Sequence, residues 1–186
     1  MAKERPAPGD LELVRGFVNT LDIEAGTDDM TTPDELRGWL VGNGLLEPGT
    51  TVTVADVRRA VELREALRAL LLANNGVAAP ASAAAVLDNV ARRARLGPRF
   101  RADGTSPLEP DADGADGSLG RLLAIVHAAM ADGSWARLKV CRSGDCWWGF
   151  WDATKNRSGT WCEMGLCGNR AKARSYRERH RGEMVG

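Results

Sequence analysis

No stretch of this 186-residue chain approaches 18 consecutive apolar residues, so no membrane-spanning helix is expected. The opening residues, Met-Ala-Lys-Glu-Arg-Pro, lack the apolar core of a secretion signal, which points to a cytoplasmic protein. Histidine occurs only twice, as His127 and His180, far apart and each on an expected helix. With no nucleophile motif and no phosphate-binding loop, the pattern argues against an enzyme. No internal repeat is visible. Cysteine is missing from the first 140 residues and then occurs four times. Formal net charge is zero, which taken alone argues against a nucleic-acid partner.

The distribution of charge says otherwise. Residues 1–134 carry a net −6 and residues 135–186 a net +6. The basic part suits a polyanion, or the two halves attract each other or a second copy. Composition changes at Ala131-Asp-Gly-Ser134, the expected domain boundary, and five of the six tryptophans lie beyond it.

The first part reads as helical. Leu11, Val14, Val18 and Leu21 recur at helical spacing from Asp10 to Leu21. A second helix is expected from Thr32, where Thr-Pro-Asp-Glu supplies an N-cap, a proline at the first helical position and Glu35 to close a capping box. It stops at Gly42-Asn-Gly44. A third starts near Thr53 with Asp56 and stops at Asn75-Gly76, a fourth covers about Ala81–Leu96, and a fifth runs from Leu119 to Met130. Between the last two, Leu96–Leu108 is expected to form a short hairpin around a two-residue Asp103-Gly104 turn, with Pro107 and Pro110 confining its second strand to an edge. Asp111–Gly117 reads as a mobile loop.

The cysteines form two close pairs, Cys141/Cys146 and Cys162/Cys167, with four residues inside each pair and fifteen between them. Such pairs can bring four thiolates to one tetrahedral ion. Disulfides are disfavoured in a reducing compartment, and no iron–sulfur spacing matches. The expected cofactor is one zinc ion. A closed four-thiolate shell leaves no open position, so the zinc is structural. A segment of about 50 residues has too little core to fold unaided, so a metal staple makes physical sense. Trp148, Trp151 and Trp161 serve either as a mini-core around the metal or as surfaces for stacking on bases.

After Cys167, a helix is expected over Gly168–Arg181, closed by Gly182. Arg170, Arg174, Arg177 and Arg181 fall on one face, Lys172 and Arg179 add charge away from that face, and Ala173 and Tyr176 are expected to pack on the zinc module. An arginine stripe of this kind fits a DNA backbone or major groove. The other reading is a helix docked on the acidic half, or one that is merely solvated. In the first part, Asn19 and Thr20 interrupt an apolar helix face and Arg64 lies within the apolar third helix. These polar groups either satisfy each other or line a ligand pocket.

Arg137-Leu-Lys-Val-Cys141, Cys146-Trp-Trp-Gly-Phe150, Trp161-Cys-Glu-Met, Cys167-Gly-Asn-Arg-Ala-Lys172 and Tyr176-Arg177 together resemble the CGNR zinc finger. Asp152 falls where that family places an acidic residue. Gly159-Thr160 departs from it, since family members often carry arginines there. Phe17-Val-Asn-Thr-Leu-Asp22 and Leu63-Arg-Glu-Ala-Leu67 are similar to the ABATE domain that usually precedes this finger. The resemblance implies a bacterial transcription regulator of a stress-induced family.

The expected protein is mainly α. A helical domain with a small β-hairpin covers 1–134, and a four-cysteine zinc finger of short strands and a basic helix covers 135–186. DNA is the expected partner, with a small-molecule effector and a homodimer as further expectations. The alternative is a zinc-stapled scaffold whose basic helix binds an acidic protein surface.

Overall fold

The computed structural model describes residues 5–183, with side chains as far as 177. Helix α1 (Leu11–Val18) is shorter than its apolar periodicity suggests. It ends at Asn19, and Leu21–Asp22 (β1) turns back to pair with Thr27–Asp28 (β2) in an antiparallel hairpin that periodicity does not reveal. Helix α2 (Pro33–Gly42) starts behind Thr32, whose hydroxyl accepts from the Glu35 N–H while the Glu35 carboxylate accepts from the Thr32 N–H. Helix α3 (Val54–Ala73) repeats the device with Thr53 and Asp56. Reciprocal caps satisfy N–H groups that a helix start otherwise leaves free, so both starts lie where local sequence puts them.

Helix α4 (Ala81–Arg93) packs along α3. The expected hairpin follows, with Gly97–Pro98 (β3) antiparallel to Leu108–Glu109 (β4). Its tip is a three-residue turn and not the expected two-residue one. Arg101 N–H donates to Thr105 O, Gly104 N–H to Arg101 O, and Gly104 takes the left-handed φ of +83° that such a turn needs.

Helix α5 (Gly114–Asp132) begins inside the stretch expected to be a loop. Glycines that read as breakers act here as points of close approach. A Cβ on Gly120 would stand 2.5 Å from the Ala94 Cβ, and one on Gly117 only 2.1 Å from the Ala112 carbonyl oxygen.

The core gathers Val14, Phe17 and Val18 from α1, Leu36 and Leu40 from α2, Leu63, Leu67 and Leu71 from α3, and Leu119 and Leu122 from α5. The Phe17 and Trp39 rings meet at 5.3 Å between centroids, tilted by 57°. This core does not stop at the change in composition. After a short 3-10 turn at Trp135–Arg137, strand Leu138–Val140 (β5) lies against α3 and pairs antiparallel with Gly149–Trp151 (β6). Trp135, Leu138 and Val140 belong to the same buried cluster as the helices. A π-helical turn, Met164–Gly168, then leads into α6 (Asn169–Glu183), which runs through Gly182 rather than stopping there. The protein is thus mainly α with short strand pairs. Among the described residues, no helix is long and apolar enough to cross a membrane.

Helix propensity alone favours alanine over glycine by about 1 kcal/mol. At Gly117 the added methyl meets a backbone carbonyl that has no rotamer to escape into. We expect Gly117→Ala to destabilise the chain by about 1–3 kcal/mol, as overpacking does. Urea denaturation followed by far-UV circular dichroism checks this; a stabilised variant would show that the helix start rearranges freely.

Candidate metal centre and basic helix

The strand pair β5–β6 positions the first two cysteines. Cys141 directly follows β5 and donates its N–H to Trp148 O at 2.9 Å, closing the hairpin around the loop. Cys146 N–H and Trp147 N–H both donate to Ser143 O, so the backbone curls between the two thiols. Cys162 lies in the loop after β6, and Cys167 sits in the π-turn, where Gly168 N–H donates to Glu163 O. All four sulfurs lie within 4.8 Å of one another, with Cys146–Cys162 at 3.6 Å and Cys162–Cys167 at 3.7 Å. A tetrahedron with Zn–S bonds of about 2.3 Å has S···S edges of about 3.8 Å, so the donor set fits zinc.

The electrostatics make the same demand. Hydrogen bonds from Cys146 and Cys162 pull the Cys141 thiol well below its ordinary range. The bond to Cys141 in turn pushes Cys146 up. Cys162 is also raised, chiefly by Cys141, and Cys167 by burial. Four thiols this close cannot all ionise without a cation among them, and zinc supplies that charge. With four thiolates the shell is closed, so the ion is one structural zinc.

The run Cys167-Gly-Asn-Arg170 resolves residue by residue. Cys167 is a donor. Gly168 has no room for a side chain, because a Cβ there would meet Met164 Sδ at 2.4 Å and Trp161 at 3.2 Å. Asn169 Nδ2 donates to Gly165 O at 2.9 Å and holds the π-turn from the helix side. Arg170 reaches across to Glu24 in the β1–β2 turn at 2.6 Å. Trp148 and Trp161 border the cysteines, as a mini-core requires, whereas Trp151 packs on the main core instead.

Below the metal loops lies a buried ion pair. Lys139 Nζ donates to Asp152 Oδ2 at 2.7 Å, to Arg157 O at 2.5 Å and to Gly159 O at 3.1 Å. Asp152 also accepts from the N–H and hydroxyl of Thr154 and from Gly159 N–H. The pair thereby stitches the β6–Cys162 loop shut. It also accounts for Gly159, where a Cβ would stand 2.7 Å from Asp152 Oδ1.

On α6 the packing face differs from the expected one. Ala173 and Tyr176 are exposed, and the half-buried positions are Ala171 and Arg174. Arg174 donates to Asp145 Oδ2 at 3.1 Å and to Ser143 Oγ at 3.3 Å, so it grips the loop between the first two cysteines. Lys172 is exposed, and exposed Arg177 donates to Ala173 O of its own helix. The Arg181 side chain lies outside the described residues.

Of the three polar candidates of the helical part, Thr20 and Arg64 come together and Asn19 bonds to the finger. Thr20 follows the end of α1; its hydroxyl donates to Phe17 O and accepts from Arg64 Nη1 at 3.2 Å. Arg64 also makes a bidentate pair with Asp28 at 2.7 and 2.9 Å. Those hydrogen bonds hold the Asp28 carboxyl below the usual carboxylate range. Asn19 faces the finger, with Oδ1 accepting from Gly149 N–H at 2.7 Å and Nδ2 donating to Gly149 O at 3.0 Å. Three further residues escaped the sequence reading. Arg68 bonds to Trp147 O, Asn74 to Trp135 O and Leu138 O, and Asn75 to Val140 O and Thr160 O. Arg68 lies one turn beyond Arg64 on the same face, a spacing that could have found it. Asn75 reads only as part of a helix stop with Gly76, and Asn74 carries no signal.

Fold and site together define a helical protein that carries a structural four-thiolate zinc finger. The chain belongs to the ABATE family, whose model, described as "Putative stress-induced transcription regulator", matches residues 11–133. The CGNR zinc finger model matches residues 137–180 directly after it. Neither is an enzyme family. Among curated proteins, none matches the chain.

Burial opposes ionisation of Asp152, but its hydrogen bonds from Lys139, Thr154 and Gly159 hold the carboxyl down at about 2. An unfolded aspartate titrates near pH ~3.9. The depressed folded value means that the pair stabilises the fold above about pH 4 and loses that contribution as pH falls toward 2. Removing one partner of a buried pair costs about 3–5 kcal/mol. We therefore expect Asp152→Ala to lower stability by that order at pH 7 and to narrow its gap to wild type below pH 4. Urea midpoints at both pH values test this, and an equal gap at both would contradict it.

Proposed function

We propose that this protein is a DNA-binding transcription regulator in which the zinc centre presents α6 to the duplex. The observation that carries the reading is the exposure of Lys172 and Arg177 on a helix that leaves the fourth cysteine, within a segment of net charge +6. Arg170 and Arg174 keep side-chain exposures of 46% and 40%, so each can turn toward a phosphate. Surface ion pairs are worth about 0–1 kcal/mol, so a polyanion can displace Glu24 and Asp145 from them. Arg181 extends the stripe in sequence. The helical part then receives an effector or the contact of a second protomer. A single finger makes few base contacts, and pairing would add a second half-site. The family description supports a regulator of transcription, and a cytoplasmic location would give access to bacterial DNA.

A second reading has one observation in its favour. Both Arg170 and Arg174 already take carboxylate partners, so α6 would also suit an acidic protein surface.

The test is fluorescence anisotropy of the zinc-loaded chain on random duplex DNA across a salt titration. Each phosphate contact contributes about 0.9 to the slope of log K against log salt. The Lys172→Ala/Arg177→Ala variant should keep its zinc and lose about 2 from that slope. A wild type that fails to bind at low salt moves α6 to the protein-partner reading. Light scattering with and without DNA reads the oligomeric state, and a monomer on DNA removes the dimer from the proposal.

A further inference from the structure

The backbone that carries the zinc ligands is also held from outside the finger. Asn75, buried at the end of α3, donates one amide group to Val140 O at 2.8 Å and Thr160 O at 2.9 Å. Val140 immediately precedes Cys141, and Thr160 stands two residues before Cys162. This side chain thereby ties together the limbs that bear the first and third ligands, beside the direct bond from Arg142 N–H to Thr160 O at 3.2 Å. Arg68, 2% exposed, donates from Nη1 to Trp147 O at 2.8 Å, directly after Cys146. Trp147 holds φ at +50°, a left-handed conformation unfavourable for a bulky residue, and it persists only where the surroundings enforce it. The same guanidinium donates from Nη2 to Val18 O at 2.7 Å, at the end of α1. Asn19, next along, brackets Gly149 through both its N–H and its carbonyl.

The finger has polar ties of its own, in the Lys139–Asp152 pair and in the Arg174 bonds to Ser143 and Asp145, but little apolar core. Trp148 and Trp161 are the tryptophans that pack beside the cysteines, while Trp135, Leu138, Val140 and Trp151 join the helical core. A metal site of four thiolates needs its loops held at fixed separation, and groups behind the ligands commonly set metal affinity.

We infer that Arg68, Asn75 and Asn19 are positioning residues of the zinc centre, so that the chain holds its metal as one unit with α1 and α3 and not as a detachable finger. Zinc occupancy and the docking of those helices are then reciprocally coupled. Zinc binding favours the contacts of these three side chains by the same factor by which those contacts favour zinc. This holds regardless of what α6 contacts.

The test uses the full zinc-loaded chain and transfer of zinc to a chromogenic chelator, at a temperature where circular dichroism shows the helices intact. Asn75→Ala and Arg68→Met should weaken zinc retention by about 10- to 100-fold. Gly117→Ala, which lowers the stability of the helical part without touching the finger, serves as control and should stay within about twofold of wild type on this view. Variants that keep wild-type affinity, or a control that loses zinc equally, would overturn the inference. A second arm needs no variant. Hydrogen exchange of the wild-type chain with and without zinc should show faster exchange at the end of α1 and over residues 68–75 when the metal is removed. Unchanged protection there would sink the coupling.

Discussion

A guanidinium removed from water must find an acceptor for its N–H groups, because an unpaired buried charge costs several kcal/mol. Arg68 meets that demand with three separate parts of the chain: Val18 O at the end of α1, Glu65 on its own helix and Trp147 O in the metal loop. None of these acceptors is optional once the charge is buried. Arg64, one turn earlier, imposes the same condition on Thr20 and Asp28 and so fixes the β1–β2 hairpin. The mutual placement of α1, the hairpin and the finger therefore follows from two arginines of α3. The apolar core supplies the bulk of the driving force, but it is less directional than these bonds.

The opposite charges of the two parts of the chain have less to do with their union than their totals suggest. Among the described residues, the ion pair that joins them is Arg170 with Glu24, and it is solvent-exposed. The firm contacts are amide and guanidinium bonds to backbone carbonyls, together with β5 packed into the helical core. Such contacts consume little of the basic surface. Lys172 and Arg177 remain turned to solvent, which suits a polyanion better than an internal embrace.

What was legible in the sequence is what local chemistry decides. The capping boxes at Thr32 and Thr53 act within four residues, and the Asp103-Gly104 pair marked where the hairpin turns, though not the length of its turn. The four cysteines declared their common centre by spacing. What was not legible depends on distant neighbours. Nothing near Asn19 says that the helix ends there, because its partner Gly149 lies 130 positions away. Gly117 and Gly120 resemble loop residues until Ala112 and Ala94 are seen pressing on them. Ala173 and Tyr176 are apolar enough to suggest an inner face, but Arg174 takes it by reaching Asp145 and Ser143.

The bracket around Gly149 has a consequence for how such chains can vary. A Cβ on Gly149 would lie 3.0 Å from Asn19 Oδ1 and 3.7 Å from the Arg15 side chain. The asparagine fits easily because residue 149 has no side chain, and a side chain at 149 would press on the asparagine. A larger residue at 149 therefore asks for an adjustment at 19. Grafting a foreign finger onto these helices, or foreign helices onto this finger, is easiest when both residues travel together.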